Sequence, residues 1–215
     1  MVLILLALLA PVAGAGEVLT RPPADPDPQA RYLFYMHGLY VEQHGAYDTY
    51  EINRILAALA SKGLVVMGEV RSDTDPRGYS ASIARQVRSL LKAGVPAGHV
   101  MVAGHSRGGF MSMLVAAQLR KRGLKFGVLA GCGVRGSEFW WSYEKFSRRA
   151  AARMRGRFFI AWDADDDIAR DCDLVMSRSG AVYKNHIYRT GQGHRLFYEP
   201  DSVWLDPLAA FALSD

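Results

Sequence analysis

Cysteine, charge and long apolar runs are all scarce in this chain of 215 residues, and each scarcity excludes a class of protein. Two cysteines are too few for a disulfide-framework fold or a zinc site of four cysteine ligands. Charged residues make up 22% of the chain and hydrophobic residues 50%, a balance that excludes intrinsic disorder. The excess of 26 Lys and Arg over 21 Asp and Glu leaves a net charge of only +5, which makes no demand for a nucleic-acid partner. Proline is sparse beside glycine, nine against 21, as suits a single globular domain with many tight turns.

The one long apolar run, Val2 to Val12, ends in Ala13-Gly14-Ala15, a small-residue pattern that signal peptidases accept. It is too short for a comfortable membrane span and has no basic residue before it. Residues 1–15 therefore read as a signal peptide. An exported protein, periplasmic or secreted, is expected, with no membrane span after cleavage. Residues 16–30 carry Pro22, Pro23, Pro26 and Pro28 and read as an extended tether, because proline cannot donate to a helix or a ladder.

Over 31–215 the pattern alternates strand and helix. Apolar runs at 32–36, 64–70, 99–103, 125–130, 157–162 and 185–188 read as strands. Helical spacing separates them, as in Ile52, Ile55, Leu56 and Leu59, then Ile83, Val87, Leu90 and Leu91. A final helix is expected near Pro207. This order predicts an α/β three-layer sandwich on a mainly parallel sheet of about six strands. Functional groups of such sheets lie beyond the carboxyl ends of the strands. That rim would hold His37, Asp73, Ser106, Cys132, Asp166 and His194.

Gly104-His105-Ser106-Arg107-Gly108 is a G-x-S-x-G sequence directly between a strand and a helix. Such a turn exposes the serine at a helix N-terminus, where partial positive charge favours an anion. Here the chain resembles the α/β-hydrolase family, over about residues 31–213. In that family a serine, an acid and a histidine follow in this order. The resemblance implies a serine hydrolase of the esterase type, needing no cofactor and no metal, that acts on a small-molecule ester. His194, in the loop Gly191-Gln192-Gly193-His194 after the last strand, matches the family's base. His186, inside that strand, reads as structural.

The acid is expected after the strand 157–162, where the family carries a G-x-x-D-x-x-V pattern. Matching Ile168 and Ala169 to its apolar end points to Asp166. Asp163 occupies the usual glycine position, which leaves Asp163, Asp165 and Asp167 in contention. Four carboxylates this close are expected to raise at least one pKa. A cation site there lacks the D-x-D-x-D-G spacing of a calcium loop. The oxyanion donors implied are the amides of Arg107 and Leu39, the second from the loop after His37-Gly38, with Tyr40 as the alternative.

Three other signals compete. Gly131 to Gly136 spells G-x-G-x-x-G, but it follows three earlier strands instead of opening the first βα unit, which argues against a dinucleotide site. Phe139, Trp140, Trp141, Tyr143 and Phe146 suggest a short aromatic flap, so Tyr40, Trp140 and Trp141 are candidate substrate contacts. The basic run from Lys145 to Arg157 reads as a solvated helix face and not as a nucleic-acid groove. Cys132 and Cys172 each follow one of two consecutive strands, on the same rim. Neighbouring strands lie about 4.8 Å apart, within reach of a disulfide.

Overall fold

The computed structural model describes residues 16–46, 49–72 and 75–215. The expected signal peptide at 1–15 and the rim position of Asp73 lie outside the described residues. Strands are β1 (Val18–Leu19), β2 (Tyr32–Met36), β3 (Val65–Met67), β4 (Val100–His105), β5 (Lys125–Leu129), β6 (Arg157–Asp163) and β7 (Val182–Tyr188). Helices are α1 (Leu39–His44), α2 (Ile52–Ser61), α3 (Pro76–Lys92), α4 (Arg107–Leu119), α5 (Trp140–Arg149), α6 (Asp173–Met176) and α7 (Ser202–Leu213). The strands form one parallel sheet in the order β1-β3-β2-β4-β5-β6-β7.

The three layers follow from a period of two. Tyr32, Phe34 and Met36 of β2 and Val100 and Val102 of β4 face one buried cluster, with Ile83, Val87 and Leu90 of α3 and Met111 and Val115 of α4. Leu33 and Tyr35, and Met101 and Ala103, face the other, under Ile55 and Leu59 of α2 and Trp204 and Leu208 of α7. The central strands are buried on both sides, so they read as unbroken apolar runs.

Among the described residues the sheet has seven strands, one more than the sequence pattern suggests. The extra strand lies inside the segment read as a tether. Val18 and Leu19 pair with Val66 and Met67, and the Gly68 amide donates to the Leu19 carbonyl at 2.8 Å. A two-residue strand has too little periodicity to be seen in sequence. The last strand starts at Val182 and not at Asn185, and it runs along the exposed edge of the sheet, with Val182 71% exposed.

Cys132 and Cys172 form a disulfide with Cα atoms 5.3 Å apart. The segments flanking it pair as well. Gly133 and Ala169 make an antiparallel bridge, Val134 N donates to Ile168 O at 3.1 Å, and Arg170 N donates to Cys132 O at 3.0 Å. Among the described residues, no helix is long and apolar enough to cross a membrane.

Candidate active site

Ser106 stands between β4 and α4 with φ 54° and ψ −119°, a left-handed conformation unfavourable for a residue with a Cβ. The turn is held by the Ser106 amide on the Leu129 carbonyl at 2.8 Å. It is also held by two glycines. A Cβ on Gly104 would lie 2.5 Å from the Met36 carbonyl oxygen, and one on Gly108 would lie 2.0 Å from it. Only glycine lets α4 approach β2 and β4 this closely.

His194 sits in a short 3-10 turn after β7, with Nε2 2.9 Å from Ser106 Oγ. Its Nδ1 lies 2.8 Å from Asp166 Oδ2. A carboxylate only accepts, so Nδ1 carries the proton and Nε2 is left to accept from the serine hydroxyl. Asp166 is fully buried and its other oxygen accepts from the amides of Ile168 and Ala169 at 2.8 and 2.9 Å. The carboxylate is thus fixed from one side and presented to the imidazole from the other.

Asp163 is buried too but points elsewhere. Its carboxylate accepts from the Asp165 amide at 3.0 Å, and from the Thr190 amide and hydroxyl at 2.9 and 2.6 Å. Burial pushes the Asp163 carboxyl up, and these hydrogen bonds outweigh it, so its pKa is lowered. The upward shift that crowding suggests is not found at this carboxylate. Among the described residues, no group of three or more His, Cys, Asp or Glu side chains could hold a metal.

Leu39 is the first residue of α1, and Arg107 the first of α4. Amides in a helix's first turn lack intrahelical acceptors, and the helix dipole adds positive potential there. Leu39, Ser106 and His194 line one cleft. A Cβ on Gly38 would lie 3.2 Å from the Ser106 Cβ, so the two loops are in close contact.

A buried ion-pair set holds these loops. The Glu42 carboxylate, with no exposed surface, meets Arg71 Nη2 at 2.6 Å and Arg107 Nη1 at 3.2 Å. Arg71 Nη2 also donates to the His37 carbonyl, and the Arg71 amide donates to His37 Nε2 at 3.0 Å. Accepting at Nε2 leaves the proton on Nδ1, which lies 2.9 Å from the Gly38 carbonyl. Burial, with the nearby Arg71 charge, lowers the His37 pKa to about 3. His37 is therefore a neutral clamp on the loop.

Solved structures share this architecture. An acetyl xylan esterase from Paenibacillus sp. R4 is 16% identical with a TM-score of 0.57, over 89% of this chain and 75% of that one. An enol-lactonase from Burkholderia xenovorans LB400 is 12% identical with a TM-score of 0.57, over 90% and 95% of the two chains. Dipeptidyl peptidase 4 from Porphyromonas gingivalis is 16% identical with a TM-score of 0.57, but this chain spans only 32% of that longer one. The chain has the α/β-hydrolase fold. No protein-family model and no curated protein matches it.

Of the aromatic contacts expected in this hydrolase fold, only Tyr40 lines the cleft. Trp141 is 74% exposed, and Trp140 packs on the core under the Arg135 guanidinium. The register of α5 explains both, since the face carrying Tyr143 and Phe146 is the buried one. Phe139 and Tyr143 of the same segment line the recess beside Ser106 instead. His186 stacks on Phe159 at 4.0 Å, within the sheet edge. Glu42 and Arg71 escaped the sequence reading. Glu42 had one signal, being the only acid in the short helix after His37-Gly38.

Proposed function

We propose that this protein is a serine hydrolase that cleaves a small carboxylic ester through an acyl-enzyme on Ser106. The supporting observation is the continuous chain from Asp166 to His194 to Ser106, with links of 2.8 and 2.9 Å. Ser106 Oγ attacks the ester carbonyl and His194 Nε2 takes its proton. Asp166 holds the imidazole in the required tautomer and stabilises the imidazolium. The amides of Leu39 and Arg107 receive the developing oxyanion. The proton passes to the departing alcohol, and water then releases the acid by the same route reversed. Thioesters and amides would meet the same groups. No cofactor takes part in this scheme. The disulfide supports an oxidising compartment, and so export.

Hydrolysis of p-nitrophenyl esters by the purified chain tests this reading. The wild-type protein is expected to turn over and to be labelled by a fluorophosphonate. Ser106→Ala and His194→Ala should each lose about three orders of magnitude or more in kcat, since such groups act as a unit. Retained turnover in Ser106→Ala overturns the assignment.

A further inference from the structure

Two cavities flank Ser106, and they differ in size, chemistry and neighbours. One is a recess of about 20 Å³ walled by Phe110, Phe139 and Tyr143, with Ala130, Gly131 and Ala169 behind. The other is a wider cleft of about 220 Å³ that contains His194 with Leu39, Tyr40, Gln43 and Tyr198.

Proton traffic decides which half of an ester goes where; this step rests on the serine-hydrolase reading above. When the Oγ–C bond has formed and the bond from carbonyl carbon to alcohol oxygen breaks, the leaving oxygen needs the proton held on His194 Nε2. The alcohol half must therefore lie against His194. Of the two cavities only the wider cleft includes His194. The acyl half is left with the recess. At about 20 Å³ the recess has roughly a tenth of the cleft's space, so it suits a short acyl group.

A third cavity shows what sets that limit. A groove of about 550 Å³ runs between α4 and α5, with Leu114 and Phe146 in its apolar lining and Lys145, Arg149 and Arg153 among its polar lining residues. Phe110 and Ser142 line both this groove and the recess, so they form the wall between them. The Phe110 ring is braced edge-on against Phe146, with centroids 5.6 Å apart at 78°.

We infer that the site is selective for esters of acetyl- or propionyl-sized acids, with the alcohol in the open cleft, and that Phe110 sets the limit by closing the recess off from the groove behind it. Each turnover then releases a short carboxylate and regenerates the Ser106 hydroxyl with a proton from water. Longer acyl chains meet the Phe110 ring. Without that ring the recess and groove would merge into one channel, with Leu114 and Phe146 as its apolar wall, long enough for a medium-length chain.

Initial rates on p-nitrophenyl acetate, butyrate, hexanoate and octanoate test this with the full-length chain and its Phe110→Ala variant. In the wild type kcat/KM should fall by about a hundredfold from acetate to hexanoate, the scale of discrimination a closed apolar pocket provides. Phe110→Ala should reverse that order and make hexanoate and octanoate the better substrates. Adding Leu114→Trp to Phe110→Ala should refill the groove and restore the preference for acetate. A wild type that hydrolyses hexanoate as fast as acetate overturns the inference, whether or not the variants fold. So does a Phe110→Ala protein that is folded and keeps the wild-type order. Absence of turnover on every ester, or turnover that survives Ser106→Ala, would instead remove the serine-hydrolase reading beneath it.

Discussion

Asp163 stands where the resemblance expects a glycine, at the end of β6, and its carboxylate accounts for the exchange. It accepts three hydrogen bonds from Asp165 and Thr190, tying the acid loop to the segment that leads into the His194 turn. Asp166 addresses His194 directly. The two carboxylates should therefore separate by kind of effect. Asp166→Asn should leave stability almost unchanged and lower kcat by about three to four orders of magnitude, because the amide reverses the imidazole tautomer. Asp163→Ala should cost about 1–3 kcal/mol of stability, the scale for stranding buried donors, with a smaller loss of kcat. Denaturant unfolding and ester kinetics on both variants check the pair. A greater kcat loss at Asp163 would show the acid to be misassigned.

At the scale of elements, the loop carrying Asp166 would be loose without its cross-link to the β5–α5 connection. The disulfide and the backbone pairing around Gly133 and Ala169 hold the two connections side by side. The bridge closes 40 residues of chain. The chain-entropy relation gives about 4 kcal/mol for a loop of that length, before any native strain is subtracted. Cys132→Ser with Cys172→Ser should therefore lower unfolding stability by about 2–4 kcal/mol. Because Phe139 lies at the end of the connection that carries Cys132, and Tyr143 just beyond it in α5, the recess they line should loosen as well. Chemical denaturation of the double variant beside the oxidised wild type is the measurement, and equal midpoints would show that the backbone pairing alone holds the loops.

Over the whole molecule, acid stability turns on histidines buried without charge. His37 is shifted to about 3 by burial and by Arg71, and burial together with His194 lowers His105 well below its usual value. In the unfolded chain both titrate near 6.5. Between pH 6.5 and 3 the unfolded state therefore binds protons that the native state refuses. The stabilisation is complete above pH 6.5 and is lost as pH falls toward 3, with His37 alone contributing at most about 5 kcal/mol across that window. The melting temperature should drop steadily between about pH 6.5 and pH 4, and His37→Gln should flatten that slope. A slope unchanged in the variant would exclude His37 as a cause.

Local pattern determined a large part of this protein. The unbroken apolar runs of β2 and β4 specify a sheet covered on both faces, and the G-x-S-x-G placement specifies the strained turn, since glycine alone fits against the Met36 carbonyl. The positions of Cys132 and Cys172 after consecutive strands were also readable, because adjacent parallel strands bring their carboxyl ends together. Tertiary structure decided the rest. Val18 and Leu19 become a strand only because β3 offers them an edge. Asp166 meets His194, while Asp163 is engaged by Thr190, 27 residues further along the chain. Phe139 and Tyr143 wall the recess in place of Trp140 and Trp141 because α5 is rotated by what it buries, and Glu42 of α1 meets Arg71, from the segment after β3, and Arg107, at the start of α4. Periodicity records which face of an element is buried. The partners that meet at a loop junction are set by how elements pack, and no local repeat encodes them.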